Sequence, residues 1–292
     1  MPELPEVETV RRGLKRLVLG KKILEVEVLN AKSFEYINSA RQNLIDAKIS
    51  NVRRRGKVLI IDLSNHFSLV GHLKMTGQII VRCHESFAAG HPTDSFMAEL
   101  PDRSTRIIFC LSDDIKLFFN DQRKFGWIKL MPTSEVEQIS FLAKMGPEPW
   151  ERQVKERFVE NIRRHQNSMV KPAILDQSVM AGIGNIYADE SLWRTGVHPE
   201  TRVKNLSDKE LEEICVAAGA VMKESIDSGG STMKTYLKAD GTKGNYLEKF
   251  ANVFRRDGLP CLRCGTDIVK LKVAGRGTHI CPKCQKRKTH RS

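Results

Sequence analysis

Two pairs of cysteines near the C-terminus constrain the fold of this chain more than any other feature. Cys261 and Cys264 form one pair, and Cys281 and Cys284 form a second pair after sixteen intervening residues. Two thiolates three residues apart on a turn can bind one metal ion, and two such turns complete the tetrahedral set of four sulfurs that zinc prefers. The spacing therefore predicts one structural zinc ion with no coordination position left open for catalysis.

Between the two pairs, residues 268–280 have the pattern of a β-hairpin whose predicted tip is residues 274–277. This tip holds Arg276 between two glycines. An arginine on a stiff hairpin can reach a phosphate backbone or a groove, and the alternative is a solvated turn residue. Arg276 is therefore a candidate contact to nucleic acid.

The net charge favours a polyanionic partner. The chain has 48 Lys and Arg against 35 Asp and Glu, a formal charge of +13, and from residue 270 onward it has eight basic residues and no acidic one. Clustered cations bind nucleic acid because they neutralise phosphates and release counterions. A solvated basic tail is the alternative interpretation of the same excess.

The sequence predicts an intracellular protein with no membrane association. No apolar run approaches the ~20 residues that a membrane span needs. The first ten residues contain acids and prolines, where a signal peptide would have basic residues and then an apolar core. Seven cysteines, four of them in metal-binding pairs, indicate a reducing compartment and no disulfide framework.

The pattern of apolar residues predicts two domains of an α+β protein. Residues 1–132 show a helical period over 6–19 and then short strand-like runs, which is typical of one helix followed by a mainly antiparallel sheet. The predicted strands are 24–28, 58–63, 106–111, 115–119 and 126–130. Prolines and glycines indicate a linker over 133–151.

The second half of the chain is predicted to be helical, with the cysteine module at its end. Residues 152–245 form the helical domain, including a glycine-rich loop at 229–245, and residues 246–292 form the zinc finger. The predicted helices are 153–165, 170–178, 186–195 and 208–228.

A glycine-rich turn joins two of these helices. Residues 181–187 place Asn185 at the expected N-cap of the second helix, and Lys171 lies on the helix before the turn. Backbone N–H groups and the positive end of a helix dipole form an anion site that suits a DNA phosphate. The alternative is a turn that connects helices and binds nothing.

The N-terminus carries a candidate nucleophile. Pro2 follows Met1 directly, so that removal of Met1 leaves a secondary amine at the chain end. A terminal amine has a pKa of about 7.7–8.0 and can attack a sugar C1′ to form a Schiff base. Glu3 is close enough in sequence to transfer protons. The alternative is that Pro5 and Glu6 simply begin a helix.

The opening MPELPEVETVRRGL closely resembles that of the bacterial formamidopyrimidine-DNA glycosylases. The likeness spans essentially the whole chain, and the motifs occur in family order. The further matching motifs lie at 55–57, 71–77, 121–126, 182–190 and 276–284. Leu4 and most of the pattern favour this family over its sister, the endonuclease VIII-like glycosylases of oxidised pyrimidines.

The resemblance implies a fold and an activity. The implied fold is a clamp, with double-stranded DNA bound between an N-terminal β-sandwich and a helix-two-turn-helix domain that carries the zinc finger. The implied activity is base excision repair by a monomeric, bacterial-type cytoplasmic enzyme. This enzyme is a hydrolase that removes 8-oxoguanine and formamidopyrimidines, and a lyase that then cleaves the strand by β,δ-elimination.

The resemblance also assigns roles to individual residues. Pro2 attacks C1′ of the flipped-out nucleotide, and Glu3 moves protons as the sugar ring opens. Lys57 and Arg276 hold the phosphates beside the lesion. The expected contacts to the DNA backbone are His72, Lys171 and Asn185. The residues expected to fill the hole left by the flipped base are Met75, Arg123 and Phe125.

The sequence departs from the family pattern on one strand and in two loops. Many members carry a DNA-contacting histidine where this chain has Ser104-Thr105-Arg106, so Arg106 or Ser104 is a candidate replacement. The loop 229–246 keeps only part of its family pattern, and the stretch 250–258 lacks the aromatic-Gly-Arg seen in many relatives. Lesion preference is therefore the open question.

Three rival functions differ in what they require. An endonuclease VIII-like enzyme would prefer oxidised pyrimidines, which a panel of lesions distinguishes. A damage sensor without catalysis would need an altered N-terminus, whereas Met1-Pro2-Glu3 is intact. An RNA-binding zinc ribbon accounts for the charge and the cysteines and leaves the N-terminal motif unexplained.

Overall fold

The structure is a computed structural model that describes residues 1–37, 42–84, 86–91, 93–229 and 251–289. These residues form two compact units. The first is Met1–Ala143 with residues 228–229, and the second is Lys144–Asp227 with the described residues from 251 onward. The division falls inside the predicted linker, and the zinc-finger region shares a unit with the helices. The predicted loop 229–245 lies outside the described residues from 230 onward.

Helix α1 (Leu4–Val18) opens the first unit. It forms because apolar residues recur at helical spacing and cover one buried face. The residues of that face include Val7, Val10, Leu14 and Val18. Glu3 is the N-cap, and its backbone N–H donates to the Glu6 carboxylate at 2.8 Å, which satisfies a donor that the helix itself leaves open.

Ten strands follow in the described part of the first unit. They are β1 (Ile23–Val28), β2 (Phe34–Tyr36), β3 (Ile49–Arg55), β4 (Val58–Leu63), β5 (Phe67–His72), β6 (Gly77–Arg82), β7 (Ser86–Gly90), β8 (Thr105–Leu111), β9 (Lys116–Asp121) and β10 (Trp127–Pro132). They form two five-stranded sheets, in the orders β1-β8-β9-β6-β7 and β2-β10-β5-β4-β3.

The two sheets share one apolar core, which confirms the predicted β-sandwich. Inward side chains of both sheets, such as Ile61 and Leu130 from one and Ile79 and Phe109 from the other, belong to the same buried cluster. The pairing is antiparallel except between β2 and β10, which run parallel. Burial of this alternating apolar face is the main force that closes the sandwich.

Two crossovers at one end of the sandwich connect the sheets. Residues 73–76 lead from β5 to β6, and residues 122–126 lead from β9 to β10. The crossovers are neighbours because Gly77, which follows the first, pairs with Asp121, which precedes the second. A Cβ atom at Gly77 would lie 2.3 Å from the carbonyl oxygen of Leu73, so the tight first crossover requires glycine there.

Short helix α2 (Ser140–Ala143) ends the first unit, and the helices of the second unit occur near their predicted positions. They are α3 (Val154–Arg163), α4 (Val170–Ile174), α5 (Asn185–Arg194) and α6 (Asp208–Asp227). Helix α4 is shorter than predicted because the Asp176 carboxylate accepts hydrogen bonds from Ser178 N and Oγ and turns the chain. None of the described helices is long and apolar enough to cross a bilayer.

Two sequence expectations are corrected at the ends of elements in this unit. The N-cap of α5 is Gly184, and Asn185 is the first helical residue. The hairpin of β11 (Val269–Val273) and β12 (Arg276–Ile280) turns at Ala274 and Gly275, whose φ values are 47° and 80°. Arg276 therefore begins β12, paired with Val273, and does not form the tip.

Candidate nucleic-acid interface and zinc centre

In the first unit, the predicted nucleophile lies at the start of α1. Pro2 and Glu3 are buried, with Glu3 3% exposed, whereas Met1 is 45% exposed. Glu3 is the N-cap residue of α1, so its carboxylate lies at the N-terminal end of the helix. The structure thus holds the second and third residues in fixed positions and leaves the first one accessible for removal.

The predicted phosphate contacts Lys57 and His72 are neighbours in the first unit. Lys57 lies in the turn between β3 and β4, and the following residue Val58 pairs with His72 at the end of β5. Burial, then the charge of Lys74, then that of Lys57, lower the pKa of His72 from 6.5 to about 3. His72 is therefore neutral near pH 7.

A hydrogen bond sets the tautomer of this neutral ring. Nδ1 of His72 accepts from the backbone N–H of Lys74 at 2.9 Å, so Nε2 carries the proton. A neutral imidazole with Nε2–H is a hydrogen-bond donor at any pH above its pKa. A phosphate oxygen can accept a hydrogen bond from this neutral form without any change in the protonation of the ring.

Asp121 holds the two crossovers together in the first unit. Its carboxylate accepts hydrogen bonds from the hydroxyl of Thr76, from Arg123 N at 3.2 Å and from Gly126 N at 2.6 Å. Asp121 is 1% exposed, so these bonds are made in a site that water does not enter. One buried carboxylate therefore orders both loops that carry the predicted hole-filling residues.

Those loops present apolar side chains to solvent. Phe125 is 53% exposed and Met75 is 39% exposed, whereas the apolar residues of the sandwich core are buried. The Arg123 guanidinium lies 4.8 Å from the centre of the Phe125 ring, within cation–π range. An exposed aromatic residue backed by an arginine on an ordered loop is suited to stack against a base.

The structure contradicts the expectation that Arg106 or Ser104 replaces the family's histidine. Arg106 is 8% exposed, and its Nε donates to the carbonyl oxygen of Asp121 at 2.8 Å. Ser104 is 3% exposed and donates through N and Oγ to the Asp102 carboxylate at 2.7 Å. Both side chains are used inside the protein, because each satisfies a buried polar group there.

The four cysteines of the second unit converge on one point. Their Sγ atoms all lie within 4.8 Å of one another. The distances are 4.0 Å for Cys261–Cys284 and 3.4 Å for Cys264–Cys281. A tetrahedral zinc with Zn–S bonds of about 2.3 Å places its sulfurs about 3.8 Å apart, so the set fits zinc.

Backbone donors support the thiolate form of two of these sulfurs. Arg263 N donates to Cys261 Sγ, and Cys284 N donates to Cys281 Sγ, each at 3.4 Å. Such N–H···S bonds stabilise negative charge on a ligand sulfur. All four ligands come from protein, so the bound ion has a structural role and orders the hairpin that carries Arg276.

Lys171 occupies a different place from the one expected. Its side chain is 1% exposed, and its ammonium group lies 2.6 Å from Oδ1 of Asp189. It also donates to Thr278 Oγ1 at 2.8 Å and to the carbonyl oxygen of Gly277 at 3.1 Å. An ammonium group with these buried partners does not face a phosphate, so the expected direct contact is corrected to a role inside the second unit.

Asn185 and Arg276 remain on the surface of the second unit. Nδ2 of Asn185 donates to the carbonyl oxygen of Gly277 at 3.0 Å, which places the start of α5 beside the strand that begins with Arg276. Arg276 itself is exposed. A helix start and an exposed arginine thus lie close together, which makes them a candidate anion-binding surface.

The basic tail is partly neutralised. Arg287 lies 3.6 Å from the Glu200 carboxylate, and Lys288 lies 2.5 Å from that of Glu210. These two cations pair with acidic residues of their own unit, so they add less to DNA attraction than the sequence count suggests.

Two adjacent carboxylates of α5 were not singled out from the sequence. Asp189 and Glu190 are 1% and 0% exposed. Glu190 accepts from the backbone N–H groups of Asn252, Val253 and Phe254 at 2.9–3.0 Å. Two acidic residues in the middle of an otherwise apolar helix were the available signal, because acids are rarely buried there unless they are paired.

Comparisons with known proteins cover the whole chain. The model of the formamidopyrimidine-DNA glycosylase N-terminal domain matches residues 1–128, that of the formamidopyrimidine-DNA glycosylase H2TH domain matches 145–237, and that of the zinc finger found in FPG and IleRS matches 258–287. The formamidopyrimidine-DNA glycosylase of Pelotomaculum thermopropionicum is 40% identical over 288 residues, 98% of this chain and 99% of the relative. That of Streptococcus pyogenes is 41% identical over 293 residues, 99% of this chain and all of the relative.

A solved structure is also similar over its full length. A variant of the Lactococcus lactis FPG, in complex with DNA that contains Fapy-dG, superposes with a TM-score of 0.85. The sequence identity is 32%, and the match covers 98% of this chain and 100% of that one. The likeness therefore includes both units and the zinc finger.

Proposed function

The chain belongs to the formamidopyrimidine-DNA glycosylase family, and from this membership we propose that it excises oxidised purines from duplex DNA with Pro2 as the nucleophile. Members of the family are base excision repair glycosylases with AP lyase activity. The proposal is carried by one observation: Pro2 and Glu3 are buried together at the start of α1, behind an exposed Met1.

The chemistry begins with the terminal amine. After Met1 is removed, the Pro2 nitrogen attacks C1′, the bond from C1′ to the damaged base breaks, and the base leaves with the electron pair and a proton. Glu3 supplies and accepts the protons that opening of the sugar ring requires. The product is an iminium ion between Pro2 and the open sugar.

Strand cleavage follows from the same intermediate. The iminium ion acidifies the C2′ proton, whose loss expels the 3′ phosphate in a β-elimination. A second proton loss then expels the 5′ phosphate in a δ-elimination, and addition of water to the iminium ion releases the sugar remnant and frees Pro2. One nucleophile therefore accounts for both the glycosylase and the lyase activity.

Each unit supplies its own contacts to the phosphates. In the first unit, Lys57 provides positive charge, and neutral His72 donates through Nε2. In the second unit, the start of α5 at Asn185 and the guanidinium of Arg276 form the anion-binding surface. These contacts fix the register of the duplex and carry no sequence preference.

Three side chains of the first unit fill the space that the extruded nucleotide leaves in the DNA base stack: Met75, Arg123 and Phe125. Flipping a base costs a few kcal/mol of stacking and pairing, and an inserted apolar side chain offsets part of that cost. The exposed Phe125 ring with Arg123 over it is the side chain of the first unit best suited to that task.

We further propose that the protein acts as a monomer on duplex DNA in the bacterial cytoplasm. The relatives reported above are bacterial proteins. The residues proposed to bind DNA are all present in one chain.

The proposal is tested by single-turnover incision of duplexes that carry 8-oxoguanine opposite cytosine or thymine glycol opposite adenine. Tag-free protein should excise 8-oxoguanine faster and leave a one-nucleotide gap with phosphates at both ends, and Pro2→Gly, whose terminal amine is primary, should produce the gap much more slowly. Faster excision of thymine glycol would move the substrate class to oxidised pyrimidines. Tight binding without excision of any lesion would contradict the enzymatic proposal.

A further inference from the structure

The Asp189 carboxylate lies at the centre of a buried polar cluster in the second unit. Its Oδ1 lies 2.6 Å from the ammonium nitrogen of Lys171, and both side chains are at most 1% exposed. Its Oδ2 accepts from the backbone N–H of His279 at 3.0 Å. A buried carboxylate and a buried ammonium require each other, because either one alone would be an uncompensated charge in a medium of low polarity.

Both charges of this pair are bonded to strand β12. Lys171 donates to the carbonyl oxygen of Gly277 and to the hydroxyl of Thr278, and Asp189 binds the next residue, His279. Asn185 adds a second donor to the carbonyl oxygen of Gly277. Three consecutive residues of β12 are therefore held by side chains from α4 and α5.

Arg276 is the residue immediately before this held segment. Its side chain is exposed, and among the described residues its guanidinium group has no ion-pair partner. The position of its backbone is therefore set by the turn on one side and by the bonds at residues 277–279 on the other. Those bonds depend on the Lys171–Asp189 pair.

We propose that Asp189 is a positioning residue that fixes Arg276 as a phosphate contact beside the start of α5. Asp189 acts through Lys171 and His279 and does not touch DNA. The inference rests on the proposed function, since it takes Arg276 to be a phosphate contact. Because a charge-assisted hydrogen bond depends steeply on distance and angle, a shift of β12 weakens it without unfolding the unit.

The neighbouring carboxylate provides a matched control. Glu190 is as buried as Asp189 and lies on the same helix, and it accepts hydrogen bonds from the backbone of residues 252–254 and from Nδ2 of Asn252. Glu190→Gln therefore perturbs a buried carboxylate of the same unit that makes no hydrogen bond to β12, although Phe254, whose N–H it accepts from, packs against the ring of His279. General loss of stability affects both variants, whereas loss of Arg276 positioning affects only Asp189→Asn.

The test is a double-mutant cycle between Asp189→Asn and Arg276→Ala. The dissociation constant is measured by fluorescence anisotropy on a duplex with a tetrahydrofuran abasic analogue, with full-length, zinc-loaded protein. Zinc content and melting temperature are recorded for each variant. Each single variant should weaken binding about tenfold, the worth of one charge-assisted hydrogen bond, and the double variant should bind no more weakly than Arg276→Ala.

The possible outcomes separate the inference from the proposed function. If Asp189→Asn weakens binding as strongly in the Arg276→Ala background as in the native chain, Asp189 does not act through Arg276. If Arg276→Ala alone leaves binding unchanged, the phosphate contact itself is wrong. Glu190→Gln should combine additively with Arg276→Ala. If Asp189→Asn alone does not fold, the combined variant Asp189→Asn with Lys171→Met takes its place, because it leaves no unpaired buried charge. The same coupling to Arg276→Ala is expected for this variant.

Discussion

Nδ1 of His72 accepts a hydrogen bond from the backbone N–H of Lys74 at 2.9 Å, and this contact leaves Nε2 as the only ring nitrogen that can donate. The same contact stabilises the neutral ring, because Nδ1 must be unprotonated to accept. Burial, Lys74 and Lys57 lower the pKa of His72 from 6.5 to about 3. The side chain therefore contributes a pH-dependent term to stability, and its Nε2–H is the donor that we propose for DNA.

We predict that His72 makes the protein lose stability below about pH 6.5. As the pH falls, the unfolded chain binds a proton on this residue before the folded chain does, so stability is complete above about 6.5 and is lost between about 6.5 and 3. The loss is about 1.4 kcal/mol per pH unit. The free energy of unfolding is measured with urea at about pH 7 and at about pH 5.5. Between these two pH values it should fall by about 1.4 kcal/mol more in the native protein than in His72→Asn. Equal drops for the two proteins would show that His72 is not held neutral.

Asp121→Asn should destabilise the first unit by about 1–3 kcal/mol. An amide can replace one of the carboxylate oxygens, but its NH₂ group would then face the N–H of Gly126 or that of Arg123. Urea unfolding measures the effect. The control is Asp113→Asn, because Asp113 is an exposed residue whose positive φ asparagine tolerates. This control should change the free energy of unfolding by at most about 0.5 kcal/mol. Similar effects of the two changes would contradict the role given to Asp121.

Phe125→Ala should slow excision from duplex DNA by roughly tenfold or more, and slow cleavage of a preformed abasic site much less. The reason is that Phe125 acts on the cost of extruding a stacked base, a few kcal/mol, and an abasic site has no base to extrude. Single-turnover rates on the two substrates measure this difference. Met97→Ala, which removes another exposed apolar side chain of the same unit, should alter neither rate. Equal slowing of both reactions by Phe125→Ala would count against the proposed insertion.

Cys261→Ser should release zinc and weaken DNA binding, while the first unit stays folded. A three-sulfur site holds zinc more weakly, and without the ion the hairpin loses the constraint that orders it. Zinc is measured by atomic absorption, and binding by anisotropy on the abasic-analogue duplex. Cys110→Ser, at a cysteine of the sandwich outside the zinc set, should keep one zinc per chain. Unchanged binding after complete zinc loss would refute the structural role of the ion.

The elements predicted well from the sequence are those whose signal is local. The apolar period predicted α1 to within two residues, because its buried stripe is fixed by spacing alone. The two CxxC pairs predicted the metal site, because knuckle geometry depends on three-residue spacing. Strands β2, β3, β5, β6 and β7 were not predicted, because each is short or has polar residues or glycine among its apolar ones and so shows neither a clear alternation nor an unbroken apolar run.

The sequence failed where the role of a side chain depends on a partner distant along the chain. Lys171 was expected at a phosphate, and the structure shows it bonded to Thr278, more than a hundred residues later. Arg106 was a candidate DNA contact, and it is bonded to the backbone of Asp121 across a strand pair. A basic residue looks the same in a sequence whether its charge is buried and paired or solvated, and only tertiary contacts decide between the two.

The central claim is that the amine of Pro2 is the nucleophile, and borohydride reduction tests it most directly. The purified, tag-free protein, shown by intact mass to lack Met1, is incubated with borohydride and a duplex carrying one 8-oxoguanine opposite cytosine. The account predicts a stable covalent complex whose cross-linked peptide begins at Pro2, and a much lower yield with Pro2→Gly, whose terminal amine is primary and lacks the pyrrolidine ring. A cross-link that maps to a lysine, or its persistence at full yield in Pro2→Gly, would contradict the account.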